Sequence, residues 1–398
     1  MFFNKERIQS AAGSREIIFW GCSEDWIPKS KKLLKQVHRV VDIKYHEFEK
    51  TWMGLTVLPP ATVKERPNDF FVVITTGSFD SVSAQLIEFG FQPEIDFCYS
   101  PFFEDFSAAQ RINDLTFNLI FISSDYGIIG SNRASLRGGG IYELSVINGQ
   151  SKIEKRVNGS YRQAQRDGEE VYAVEYVRGE LHVFDLDFNL IKTKKLSMRH
   201  YTGLSVGDGA IYLVSSANDV IQVLNKETFS ESCVIPFSNK SFSGEGVHHL
   251  NDCYYHDGRL FFSYFSKSGV WRNEVFDGGI SYLDIETNEI IEVLSGLMQP
   301  HSPKIINDTL HFCESPKGVV YSSSWNKIAS LQGFVRGINY HNGYYFIGQS
   351  ETLYMKRALS MNNTMMNAGI YVMDESTGAC RFFNIEGLKN VHTIISCR

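Results

Sequence analysis

The stretch at 138–150, GGGIYELSVINGQ, reads as a glycine turn, an alternating apolar run and an Asn-Gly turn. That is the make-up of a half-buried β-strand entering a hairpin. The pattern recurs five more times: GELHVFDLDFN at 179–189, NDVIQVLNKET at 218–228, GGISYLDIETNE at 278–289, KGVVYSSSWNK at 317–327 and AGIYVMDESTGA at 368–379. Each copy follows another strand of like character: FNLIFISSDYG, EEVYAVEYVRG, GAIYLVSSAND, GRLFFSYFSKSG, DTLHFCESPKG and GYYFIGQSETL. Successive copies start 41, 39, 60, 39 and 51 residues apart, close to the ~40–50 residues of a four-stranded propeller blade. A sandwich would need fewer strands and a solenoid more even spacing. The repeat therefore predicts a six-bladed β-propeller over 109–398, with an insertion around SNKSFSGEGV (238–247) that shapes one rim of the channel.

Working outward toward the amino end, the periodicity changes. EIIFWG from Glu16 reads as a buried strand, and PKSKKLLKQV carries Leu33, Leu34 and Val37 at helical spacing. RVVDIKY is a second strand, TWMGLTVLPPATV a turn and short strand, DFFVVITTG a strongly buried strand, and SVSAQLIEFGF a helix stopping at Gly90. Residues 1–108 are thus expected to form a small α/β domain with a mostly parallel sheet, where ligands favour the carboxyl ends of the strands. The fold expected for the whole chain is mainly β: a six-bladed β-propeller preceded by a small Rossmann-like α/β domain.

Composition narrows the function. The 398 residues carry 39 Lys+Arg against 45 Asp+Glu, a net charge of −6, and the one basic cluster is the short KSKKLLK. A groove that binds nucleic acid by releasing counterions is not expected. No apolar run reaches the roughly 18 residues of a membrane span, and MFFNKERIQSAAGSRE lacks the apolar segment of a signal peptide. Seven Cys without a CxxC pair fit reduced thiols. A cytoplasmic protein is the expectation. GxxxxGK[ST], HExxH and an EF-hand loop are all missing, which argues against P-loop and zincin chemistry. The Met-rich stretch at 355–369 reads as an inter-strand loop or a flexible lid.

Aligning the first strand of each blade on the following hairpin brings Arg162, Thr202, Asn251, His301 and Arg336 into one register. Two residues earlier, on the same face, stand Ser160, His200, His249, Gln299 and Phe334. The neighbouring strand supplies Ser123, Glu175, Ser215, Tyr264, Glu314 and Gln349. The innermost strands line a propeller channel, so these groups are expected to converge. His249 and His301 are candidate acid/base groups, with Glu314 and Asn251 orienting them. Arg162 and Arg336 are candidate clamps for a carboxylate or phosphate, and His200, Glu175 and Gln349 complete a substrate surface. Alternatively, His200, His249 and His301 hold a divalent metal beside Glu314 or Glu175. A hydrated channel in which these groups only satisfy strand ends is the third possibility.

Two resemblances add to this. The amino-terminal segment resembles the Rossmann-like domain of bacterial sugar acetyltransferases, through Gly21, Asp42, Trp52, Gly54, Val57 and the turn Thr75–Ser78. The resemblance implies a nucleotide-sugar site at Gly21, Ser23, Asp42 and Thr76. The turn departs from the family pattern in having one glycine and the acidic pair Glu24 and Asp25, and a domain retained only for packing is the alternative. Residues 115–398 resemble a bacterial β-propeller family of unknown function (DUF4915-like) through GGGIYEL, HYTGLS, HHLND, FDGGI, QPHSP, CESPKG, GFVRGI and IGQS. Members of that family accompany glycan-assembly proteins. The combined expectation is an enzyme of bacterial surface-glycan biosynthesis that modifies a sugar or sugar nucleotide at the channel mouth. The alternative is a non-catalytic propeller that binds a glycan or an assembly partner.

Overall fold

The structure, a computed structural model, describes residues 2–103, 109, 111–125, 134–352 and 364–397. Positions 355–363 of the Met-rich stretch and 130–133 of the Gly-rich GSNRASLRGGG lie outside the described residues. The chain divides into two compact units, Met1–Arg111 and Ile112–Arg398.

In the first unit, strands β1 (Glu16–Trp20), β2 (Arg39–Val41), β3 (Thr51–Trp52), β4 (Leu55–Leu58), β5 (Phe70–Ile74) and β6 (Phe97–Tyr99) form one sheet in the order β3-β4-β2-β1-β5-β6. All pairings are parallel except β3 with β4. Alternation along β1 sends Phe19 into the core shared with Ile8, Ile27 and Leu34, and Ile18 and Trp20 into the core shared with Val82 and Leu86. Helices α1 (Lys5–Ala12) and α2 (Trp26–Leu33) thus cover one face of the sheet, and α3 (Pro60–Glu65) and α4 (Phe79–Glu88) the other. The run ATV, expected as strand or turn, is helical because Pro60 opens α3, a position that tolerates proline. Strand β2 stops at Val41, earlier than RVVDIKY suggests. The Asp42 carboxylate turns to accept the N–H groups of Cys22 and Lys44, at 2.7 and 2.8 Å.

The second unit is a six-bladed propeller of four-stranded antiparallel sheets. Five blades are continuous in sequence, with inner strands Tyr161–Asp167, Tyr201–Gly207, Leu250–His256, Pro300–Ile306 and Phe334–His341. The remaining blade joins Phe117–Ser123, Gly140–Ile147 and Gln150–Asn158 to the carboxyl-terminal Thr393–Cys397, which supplies its inner strand. Each inner strand packs on the next and the last on the first, so the ring closes. Four inner hairpins are two-residue turns with left-handed φ at both positions: Asp208-Gly209, Asp257-Gly258, Asn307-Asp308 and Asn342-Gly343. These are the residue types that a type I′ turn requires.

The hydrophobic core lies between blades. Tyr172, Leu181 and Val183 of one blade interdigitate with Tyr201, Leu204 and Leu213 of the next. The outer strand Leu190–Lys195 is exposed at all six positions and carries three lysines, which blunt it as a pairing edge. No helix among the described residues is long and apolar enough to cross a membrane.

Candidate functional site

Every inner strand breaks register near its start, between Tyr161 and Gln163, Tyr201 and Gly203, Leu250 and Cys253, His301 and Lys304, Val335 and Ile338, and Ile394 and Ser396. A bulge tightens twist and re-aims a side chain, and repeated around an axis it forms a waist. Tyr161, Tyr201, Leu250, Pro300 and Val335 pair with Glu175, Ser215, Tyr264, Glu314 and Gln349. The residues that follow, Arg162, Thr202, Asn251, His301 and Arg336, therefore share one level, and all five are buried.

His301 is held from both sides. Its Nδ1 lies 3.0 Å from the Gln299 carbonyl and 2.8 Å from Ser315 Oγ, and its Nε2 lies 2.9 Å from Asn251 Nδ2. A carbonyl only accepts and an amide nitrogen only donates, so the proton sits on Nδ1 and the lone pair on Nε2. Burial first, then the Arg336 guanidinium, pushes its pKa well below the ordinary value and keeps the ring neutral. Arg336 donates from Nε to Ser350 Oγ and the Val391 carbonyl, each at 3.1 Å, and from a terminal nitrogen to Asn390 Oδ1 at 2.7 Å. The Arg162 guanidinium lies 4.3 Å from the centre of the Tyr176 ring.

Both cations act on Asp252, whose carboxylate accepts the Ser302 N–H at 2.8 Å and its hydroxyl at 3.1 Å. Burial raises the Asp252 pKa to about 6, against the pull of Ser302, Arg336 and Arg162. A carboxyl raised from 3.8 to about 6 gives stability that is complete below its unfolded value and lost as pH rises through 6. The loss for this one buried group is on the order of 3 kcal/mol. Urea midpoints measured between pH 4 and 7 should therefore fall more steeply for the native protein than for Asp252→Asn. Parallel profiles would contradict this account of the waist.

Above the waist stands a collar of rings. His200, His249 and Gln299 occupy one position of successive blades and adopt φ of 55°, 53° and 46°, a left-handed conformation uncommon outside glycine. His200 stacks on Tyr176 at 5.3 Å. His249 packs on Phe265 at 4.4 Å and on Trp271 at 4.7 Å. Phe265 and Phe334 flank His301 at 5.2 and 5.5 Å. Trp271 comes from the long connection between Tyr264 and Gly278, and its indole N–H donates to the Gly246 carbonyl of the 238–247 insertion at 2.8 Å.

Other residues singled out in the sequence have different work. Glu314 accepts the Met298 N–H at 2.9 Å and pairs with Lys317 at 2.8 Å. Glu175 accepts the Ser160 N–H at 2.9 Å and the Arg178 N–H. Both carboxylates tie the chain entering an inner strand and do not orient His301. Gln349 is fully buried, donating to the Asn367 carbonyl and accepting from Tyr371. Among the described residues no group of three His, Cys, Asp or Glu side chains is placed to hold a metal ion. His200, His249 and His301 accordingly form no ligand set, and the Nε2 lone pair of His301 is taken by Asn251.

In the first unit, Gly21, Ser23, Asp42 and Thr76 gather at the carboxyl ends of β1, β2 and β5. Gly21 has φ 107°, and a Cβ there would meet the Thr76 side chain at 2.5 Å. Three N–H groups of this turn are committed: Cys22 to Asp42, Ser23 to the Gly21 carbonyl at 3.1 Å, and Trp26 to Ser23 Oγ. A phosphate would have to compete with each of them. Sequence reasoning missed Asp252, Tyr176, Phe265 and Trp271. A tryptophan inside an over-long connection was the available signal for the last.

A family model described as a domain of unknown function (DUF4915) matches residues 200–394. A chain of a nidogen/laminin complex is similar at 9% identity over 71% of this chain and 98% of that one, with a TM-score of 0.50. A luciferin-regenerating enzyme is similar at 12% identity over 57% and 76%, with a TM-score of 0.41. Regucalcin, a calcium-binding protein from Agrobacterium tumefaciens str. C58, is similar at 11% identity over 55% and 73%, also with a TM-score of 0.41. At such identities the likeness concerns the propeller fold alone. No curated protein matches the chain.

Proposed function

We propose that the collared mouth of the propeller binds an anionic carbohydrate: a sugar acid, a sugar phosphate or a sugar nucleotide. The observation that carries this reading is the pairing of two guanidiniums with a ring-lined mouth. Arg162 and Arg336 share the level of the waist, and the charge of each reaches both His301 and Asp252. Guanidinium forks suit carboxylate and phosphate oxygens, while the faces of Tyr176, Phe265, Trp271 and Phe334 suit the apolar face of a sugar ring. A place in bacterial surface-glycan biosynthesis, expected from the company that members of the family resembled by residues 115–398 keep, agrees with the same ligand class.

Chemical modification of the bound sugar is favoured by one further observation. Asp252, with its pKa raised to about 6, exchanges a proton near neutral pH, as a general acid or base must. His301, neutral and engaged at both nitrogens, acts as a positioning residue for Asn251. A nucleotide held by the first unit is a lesser part of the reading, because three of its turn donors are already paired.

Titration calorimetry with glucuronic acid, glucose 1-phosphate, UDP-glucuronic acid and glucose tests the ligand class. Binding of at least one charged sugar, at least ten-fold tighter than glucose, is expected. Equal affinity for glucose, or no binding by any charged sugar, would overturn the proposal.

A further inference from the structure

Farther along the inner strands, past the bulge, a second polar column runs around the channel. Gln165, Ser205, Tyr254, Lys304 and Asn339 each stand two residues before the last pair of an inner hairpin, opposite Tyr172, Tyr212, Phe261, His311 and Phe346. Gln165 bonds to the Val206 carbonyl at 3.1 Å, Asn339 to the Ile394 carbonyl at 3.4 Å and Lys304 Nζ to the Ile338 carbonyl at 3.3 Å. An amide is enough for this strand-to-strand contact, as Gln165 and Asn339 demonstrate. The charge of Lys304 is in excess of it.

That charge is part-buried, 6.0 Å from the centre of the Tyr254 ring, and has no carboxylate partner among the described residues; burial alone depresses its pKa to about 8. It borders a cavity of about 210 Å³, lined also by Gln163, Tyr254, Ser302, Thr393 and Arg166, the last pairing with Glu169 at 3.7 Å. The Gln163 carbonyl oxygen accepts from Thr393 Oγ1 at 3.1 Å, which leaves its amide N–H groups as donors. At roughly 30 Å³ per water the space holds about seven waters, enough for phosphate or a three- to four-carbon acid and too little for a nucleotide. A part-buried ammonium without a counter-charge loses some of its hydration, and an anion in the adjoining space offsets that loss.

We propose that this cavity is a binding site for a small oxyanion, a carboxylate or phosphate, with Lys304 as its counter-charge and Gln163 and Tyr254 as flanking donors. Lys304 lies three residues beyond His301, past the bulge, so the site lies beyond the waist and adjoins it through Ser302, which also holds Asp252.

The test uses sodium phosphate, acetate and lactate at constant ionic strength, with chloride as control, on the full chain and on Lys304→Gln and Arg336→Gln. Phosphate or one of the carboxylates should raise the melting temperature by a few degrees at millimolar concentration. Phosphate and the two carboxylates as separate arms identify the source of the oxyanion. Lys304→Gln, which can still reach the Ile338 carbonyl, should lose at least ten-fold in affinity, and Arg336→Gln should keep it. Equal binding by Lys304→Gln, an equal effect of chloride, or no stabilisation by any of the three anions overturns the proposal. If Lys304→Gln fails to fold, acylation of Lys304 by a small amine reagent, read by peptide mass spectrometry, decides the matter. Slowing by the bound anion supports the site and an unchanged rate overturns it.

Discussion

Deletion of residues 391–397 should leave the second unit without a cooperative unfolding transition. The strand Thr393–Cys397 is the inner strand of the blade that also holds Phe117–Ser123, and pairs with it from Thr393–Ile122 to Cys397–Leu119. Val391 and Ile394 are buried to within 1% of complete burial. Val391 also presents its carbonyl to Arg336, and His392 Nε2 lies 2.6 Å from Ser124 Oγ. Removing the segment strips a wall from the core, exposes the backbone edge of Phe117–Ser123 to aggregation and opens the ring between the Tyr161 and Phe334 inner strands. The expected loss exceeds about 5 kcal/mol, the lower end of a typical domain's whole stability. The control is Leu190→Ser with Ile191→Ser in the exposed outer strand, which should shift stability by no more than about 0.5 kcal/mol. Calorimetry distinguishes the two: a sharp transition surviving the deletion would show that closure is dispensable.

Asp219→Ala should be the most damaging single substitution proposed. The Asp219 carboxylate is fully buried and accepts the N–H groups of His248 at 2.9 Å and Leu250 at 3.2 Å, fixing the chain as it enters the inner strand Leu250–His256. Its own carbonyl accepts from Phe237 N–H at 3.1 Å and Ser241 Oγ at 2.7 Å, so the 238–247 insertion is anchored there too. Alanine leaves the two N–H groups unsatisfied at ~1–3 kcal/mol each, and places a side chain poorly suited to left-handed backbone at φ 52°, for ~1 kcal/mol more. A loss of about 3–5 kcal/mol lowers the melting temperature by roughly 10 °C in a unit of this size. Asp219→Asn keeps one acceptor oxygen and a residue tolerant of that conformation, and should lose less than half as much. Equal losses for the two substitutions would contradict this reading.

The propeller was legible because its signals are local and repeated. Alternating apolar runs and Asn-Gly or Asp-Gly turns recur at blade spacing, and a two-residue turn fixes the register of the strands it joins. That register brought Arg162, Asn251, His301 and Arg336 to one level before any coordinates. What the carboxylates do was not legible, because it depends on neighbours in space. Glu314 lies three residues before Lys317 and beside the Met298 N–H, and both claim it. Asp252 reads as an ordinary strand residue, and only the burial that follows the bulge after Leu250 raises its pKa to about 6, against the pull of two guanidiniums. Two rings of the collar were missed for a related reason: Phe265 and Trp271 sit in a long connection, which periodicity does not place.

The binding claim for the mouth comes down to two guanidiniums. Calorimetric titration of the tightest charged sugar into the native chain and into a folded Arg162→Gln/Arg336→Gln variant measures it most directly. The account predicts that the variant, checked for native circular dichroism, loses at least a hundred-fold in affinity. An unchanged dissociation constant in the folded double variant would contradict it.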